Sequence, residues 1–231
     1  MTMAAKRKYD GIKGLGFVMA LASFAWVFFY LTPPDFEVSF PSSLTPAEQR
    51  YLLSLKKKHS GVSRTLTEAE ARSVIKNACS FIERVNGTKE IYDTPAAREL
   101  LFGTACTESG LRPRFQDKNG TAIGLFQVEY ATFIDLWNRA IKTKYPKLYK
   151  EIKKNYAGED KQIRFEDLQL SDELCAVFAR MKYAQAKSHI PPATDLEAQA
   201  RYYKKYYNTE LGKASHKSYL KRRAEVLERE K

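Results

Sequence analysis

Ala105-Cys106-Thr107-Glu108-Ser109-Gly110-Leu111, followed after a polar loop by Gly124-Leu125-Phe126-Gln127, decides both the fold and the chemistry of this chain. Upstream, Thr94-Pro95 pairs a capping residue with a first-turn proline, so a helix opens there. Within it Leu101, Thr104 and Ala105 recur at intervals of three and four, and Glu108 is the next member of that row. The acid is therefore expected to point inward. Gly110 marks the helix end, which sets Glu108 at the negative pole of the macrodipole. Beyond it, Asn119-Gly120 is a turn dipeptide. Gly124 to Gln127 then supplies a glycine where backbone can approach a ligand closely, and an amide able to bridge polar groups.

A carboxyl can deliver a proton near neutral pH only if its pKa lies above the unperturbed value of about 4.3. Burial disfavours the charged form of Glu108, and so does the helix C-terminus. A solvent-exposed glutamate in mid-helix would have neither influence. The ordinary alternative is that Glu108 ends a helix and pairs with Arg112 or Arg114.

The acid and the loop, at this spacing, resemble the soluble-lytic-transglycosylase family of lysozyme-like enzymes, whose signature is a Glu-Ser at a helix end and then a Gly-Leu-x-Gln loop. The resemblance spans residues 90 to 215 and is strongest over 104 to 132. It implies a mainly α, lysozyme-like domain with a short β or loop element, acting on peptidoglycan. Glu108 is then the single acid and base, Ser109 matches the serine after it, and Gly124 and Gln127 match positions lining the groove. Tyr206-Tyr207-Asn208 is similar to the family's Ala-Tyr-Asn-x-Gly motif, which sets Tyr207 close to the acid and Asn208 in the substrate site. Two departures stand out. The motif's glycine position holds Glu210, with Gly212 two places later, and Leu174 to Ala186 replaces the family's Asn-Ile-x-x-Gly segment.

Family chemistry implies that Glu108 protonates the bond between N-acetylmuramic acid and N-acetylglucosamine, then accepts a proton from the muramoyl C6 hydroxyl, giving a 1,6-anhydro sugar. One carboxylate suffices, whereas hydrolysis usually needs a second. Asp117, Glu129 and Asp135 are the candidates for that role in a lysozyme-type muramidase, the competing reaction.

Around this centre the pattern is helical. Thr45-Pro46-Ala47-Glu48 opens a helix to Lys58, and Thr67-Glu68-Ala69-Glu70 opens another, with Val74, Ile75, Ala78, Ile82 and Val85 on one face and Asn86-Gly87 as its stop. Further helices are expected over 130–143, 146–155, 171–188, 194–207 and 215–229, with short strands only around Thr121 to Val128. Phe126, Tyr130, Phe133 and Trp137 form an aromatic stripe whose usual role is core packing. Phe126, nearest the loop, is the one suited to stack on a sugar.

Gly14 to Leu31 contains 18 residues without a charge, which at about 1.5 Å each span most of a roughly 30 Å hydrocarbon core. It reads as one transmembrane helix between a basic N-terminus, 1–13, and a Pro-rich linker, 32–43, leaving 44–231 as the catalytic domain. Lys6, Arg7, Lys8 and Lys13 keep the start cytoplasmic, so the domain is expected on the periplasmic side of an inner membrane. A cleaved signal peptide shares the basic start and apolar run, and phage signal-arrest-release endolysins share the small residues that let such a helix leave the bilayer.

The net charge of +12 favours a polyanionic neighbour, whether anionic lipid, cell-wall carboxylate or nucleic acid, and composition does not choose among the three. Lys56-Lys57-Lys58, Lys153-Lys154 and Lys221-Arg222-Arg223 read as solvated faces, and no recognition motif for nucleic acid is present. Cys79, Cys106 and Cys175 are odd in number, so at least one thiol is unpaired within the chain. His59, His189 and His216 show no ligand spacing with them, and neither metal nor cofactor is expected. A membrane-tethered structural component of a phage virion or secretion machine, with weak or absent catalysis, is the non-enzymatic alternative.

Overall fold

Thr67 starts the first described helix, α1 (Glu68–Asn86), through a reciprocal cap. Its hydroxyl accepts from the Glu70 amide at 3.2 Å, while the Glu70 carboxylate accepts from the Thr67 amide at 2.9 Å. Gly87 ends it in the left-handed conformation, φ 68°. The computed structural model describes residues 45, 64–115, 121–208, 212 and 214–229, all within the second of the chain's two units, Met1–Ser42 and Ser43–Lys231. The apolar run Gly14 to Leu31, the linker, the helix expected from Thr45 to Lys58, Asp117 and Asn119-Gly120 lie outside the described residues. Among those described, no helix is long and apolar enough to cross a membrane.

Thr94 caps α2 (Pro95–Glu108) by accepting from the Ala97 amide at 3.0 Å. Every residue from Leu100 to Cys106 is buried, so α2 is a central helix without a solvated face over those turns. Gly103 allows its closest approach: a Cβ there would lie 2.0 Å from the Tyr219 hydroxyl. The strands are as short as expected. β1 (Arg114–Phe115), β2 (Ala122–Gly124) and β3 (Val128–Glu129) form one antiparallel sheet in that order, with Arg114 opposite Gly124 and Ile123 opposite Val128.

Next come α3 (Tyr130–Asp135), a π-helical turn (Leu136–Ile141), α4 (Lys142–Lys144) and α5 (Pro146–Tyr156). They are followed by α6 (Asp167–Leu170), α7 (Asp172–Tyr183), α8 (Leu196–Tyr203) with a second π-helical turn (Lys204–Asn208), and α9 (His216–Glu228). The described chain is thus mainly helical. The segment expected as one helix over 171–188 stops at Tyr183, and a loop follows to Asp195, whose side chain caps α8.

Helix α2 packs against α9 on one side and α1 on another, while α1 lies along α7 and α8 along α9. Two charged side chains build the loop between α1 and α2. Glu83 accepts from the amides of Ile91, Tyr92 and Asp93, and buried Arg180 donates to the carbonyls of Ile91 and Tyr92. Glu99 ties three helices together, accepting from Arg72 of α1 and Arg223 of α9. Arg223 is therefore a packing residue, unlike its exposed neighbours Lys221 and Arg222.

The aromatic stripe is core. Phe126 and Phe133 are buried, the latter stacked on Phe178 at 5.1 Å, and Trp137 lies 4.6 Å from the Tyr149 ring. All three cysteines are free and buried, so no disulfide distorts the segment holding Glu108. Burial pushes the Cys106 thiol up to about 12.

Candidate active site

Glu108 is the last residue of α2, at the end of a buried segment. The chain then reverses through Gly110 and Leu111, both at φ 63°. Part of the glutamate remains exposed, yet its carboxyl is desolvated enough to hold a proton near neutrality. Burial raises its pKa to about 7, against a hydrogen bond from Tyr203 and the charge of Lys182, which pull it down, and with a smaller push from Glu129. Its hydrogen-bond partner is Tyr203, whose Oη donates to Glu108 Oε1 at 2.8 Å; the side chain of Arg114 lies outside the described residues.

The loop beside it is fixed by its own carbonyls. Gln127 donates to the Gly124 carbonyl through both its backbone amide, at 3.2 Å, and its Nε2, at 2.9 Å. Ser109 Oγ donates to the Leu125 carbonyl at 2.7 Å, and Tyr207 Oη to the Phe126 carbonyl at 2.9 Å. Three consecutive carbonyls are thus held from within the loop, from the end of α2 and from the second π-helical turn. Gln169 Oε1 accepts from the Gly124 amide at 3.1 Å on the far side. Gly124 is at φ 79° and Gln127 at φ 46°. Glycine adopts such a φ freely, whereas at Gln127 it persists only because the surroundings over-determine it, here through those hydrogen bonds.

This arrangement gives several expected substrate-binding residues a different task. The Phe126 ring is fully buried and offers no face to a sugar. Ser109 joins the acid's helix to the loop, and the Gln127 side-chain nitrogen closes the turn instead of reaching outward. At Gly124 the close approach is from the protein itself, since a Cβ would lie 2.5 Å from the Leu168 carbonyl and 2.8 Å from Cys175 Sγ. Tyr207 does stand in the site, but its hydroxyl holds the loop. The tyrosine bonded to the acid is Tyr203, one turn earlier.

Asn208 Oδ1 accepts from Lys204 Nζ at 3.0 Å, and the same ammonium donates to the Gly212 carbonyl at 2.8 Å. A Cβ on Gly212 would lie 2.2 Å from Asn208 Oδ1, so the displaced glycine still lies against the asparagine.

Sequence reasoning marked Tyr203 within the cluster Tyr202, Tyr203, Tyr206 and Tyr207 but missed its bond to the acid, and it missed Lys182 altogether. Tyr203 is buried, with its ring 6.1 Å from Tyr207 and 5.2 Å from Tyr219. Its signal was the four-residue interval to Tyr207, which on a helix puts both rings on one side. Lys182 had no signal in its own segment. As for a second carboxylate, Glu129 is exposed and its charge bears on Glu108, whereas Asp135 is engaged by Arg139 at 2.8 Å. Among the described residues no group of three or more His, Cys, Asp or Glu side chains is placed to hold a metal ion.

Removing the Tyr203 hydroxyl tests the electrostatics directly. That hydrogen bond lowers the pKa of Glu108, so Tyr203→Phe should keep the acid protonated to higher pH and move its titration midpoint, read by carbon-13 NMR, upward. A titration superimposable on wild type would remove Tyr203 from the acid's control.

No known family, curated protein or solved structure matches this chain.

Proposed function

We propose that the chain is a peptidoglycan-cleaving lytic transglycosylase with a lysozyme-like domain, in which Glu108 is the catalytic acid and base. What carries the reading is a carboxyl raised to about 7, partly exposed at the end of a buried helix, beside a loop whose carbonyls at Gly124, Leu125 and Phe126 are engaged. Such a group has the pKa that general acid catalysis near neutrality requires.

In the proposed reaction, the Glu108 proton passes to the glycosidic oxygen, the bond from muramoyl C1 to that oxygen breaks, and the N-acetylglucosamine hydroxyl leaves. The carboxylate then takes the proton of the muramoyl C6 hydroxyl as that oxygen bonds to C1, which closes the 1,6-anhydro ring and restores the acid. The negative charge exists only between these steps, and Tyr203 Oη is already aimed at it. The apolar run Gly14 to Leu31 would hold the domain on the periplasmic face of an inner membrane, suited to local wall opening by a phage or secretion machine.

One observation favours a second reading. Glu129 is an exposed carboxylate whose charge reaches Glu108, as a hydrolytic muramidase would require of a partner. Mass spectrometry of products from purified sacculi separates the two. Anhydromuropeptides are expected, and reducing muramoyl ends alone would establish hydrolysis instead.

A further inference from the structure

We infer that Lys182 is a positioning residue for Glu108, clamping the turn that carries Tyr207 and supplying a positive charge whose field reaches the carboxyl when its proton departs. The inference deepens the proposed function, since it assigns a task to a residue within the same site.

Lys182 is the penultimate residue of α7 and is half-buried. Its Nζ donates to the Tyr207 carbonyl at 2.7 Å and lies 4.2 Å from the centre of the Tyr207 ring. Tyr207 belongs to the π-helical turn Lys204–Asn208, near a helix end, where carbonyls run out of amide donors along the chain. The ammonium supplies one from another helix. Because the Tyr207 hydroxyl holds the Phe126 carbonyl, the clamp extends to the loop beside Glu108.

A half-buried ammonium is unfavourable unless something compensates its lost hydration. Burial indeed lowers the pKa of Lys182, and the groups opposing that are Glu108 first and Glu129 second. Seen from Glu108, the surrounding groups are Tyr203 of α8, Lys182 of α7 and Glu129 of β3, with the phenols of Tyr183 and Tyr207 also within its field. Among these, Lys182 alone is positive. General acid catalysis leaves negative charge on the carboxyl, and a fixed cation whose charge reaches it stabilises that state more than the protonated one.

Three substitutions in the full-length protein separate charge from clamp. Lys182→Gln retains an amide donor without charge, Lys182→Met removes both, and Lys182→Arg retains the charge. The readout is titration of the Glu108 carboxyl by carbon-13 NMR, its resonance identified by its loss in Glu108→Gln. Lys182→Gln and Lys182→Met should each make Glu108 a roughly tenfold weaker acid, with Lys182→Arg restoring it. Lys182→Met alone, which leaves the Tyr207 carbonyl without its donor, should lower the melting temperature; equal melting temperatures for Lys182→Gln and Lys182→Met would remove the clamp. The alkaline limb of wall-clearing activity should move upward with the titration.

An unchanged Glu108 midpoint in Lys182→Gln, at preserved melting temperature, would overturn the inference. A wild-type protein that clears no wall while the titration still shifts would support the pairing and remove the transglycosylase reading, so the two failures are distinguishable.

Discussion

Glu108→Gln should reduce clearing of peptidoglycan by about 10³-fold, the scale of a lost general acid, while leaving a folded protein. Glutamine keeps the oxygen that accepts from Tyr203 and loses only the transferable proton. Zymography beside wild type checks this, and equal clearing by both would exclude Glu108 from the reaction.

The same substitution carries a stability signature. The folded pKa of Glu108 is about 7 and its ordinary value is 4.5, so the native state holds the proton more tightly than the unfolded chain. The resulting stabilisation is fully present below pH 4.5, declines as pH rises toward 7 and is gone above it, a change of about 3 kcal/mol. Glutamine does not titrate. Denaturant unfolding should therefore find Glu108→Gln more stable than wild type at pH 8 and nearly equal to it at pH 4. A variant less stable than wild type at pH 8 would mean that the carboxyl is not held against its charge.

Gly124→Ala should be among the most damaging small substitutions in the domain. At φ 79° any side chain is strained, by about 1 to 2 kcal/mol, and the new methyl would meet the Leu168 carbonyl and Cys175 Sγ well inside contact distance. Overpacking of that kind adds about 1 to 3 kcal/mol. The sum corresponds to a fall in melting temperature of roughly 10 °C for a domain of this size. Gly87→Ala is the control, since Gly87 also has positive φ but nothing lies within 4 Å of where its Cβ would be. It should show the conformational part alone. Melting temperatures that coincide for the two variants would show that the space around Gly124 yields.

Local signals placed the elements well where side chains cap backbone. Thr67, Thr94 and Ser215 each accept from an amide three residues on, and the helices start there because those interactions need no distant partner. The short strands around Thr121 to Val128 were legible for a similar reason, bounded by glycine and polar turn residues. The stop at Tyr183 was not. The apolar pattern continues past it through Ala184 and Ala186, and nothing local separates a helix from the loop that follows.

The tyrosine assignment shows the same divide. A π-helical turn adds a residue to the ring of each hydrogen bond, so it rotates every side chain after Tyr203 relative to a regular helix. Reading the Tyr206-Tyr207-Asn208 motif by spacing placed Tyr207 at the acid, whereas the hydroxyl that reaches Glu108 belongs to Tyr203.

By itself, then, the sequence determined a helical domain, the inward row ending in Glu108, and a glycine-bounded loop beside it, because capping, periodicity and φ preference act over a few residues. Only the tertiary structure decided that Ser109, Gln127 and Tyr207 spend their hydrogen bonds on the loop's carbonyls, that Tyr203 bonds to the acid, and that the charge of Lys182 reaches it. Tyr203 and Lys182 lie 95 and 74 positions from Glu108 in the chain, and desolvation, which sets the proton affinity of Glu108, exists only once the surrounding helices have closed around it.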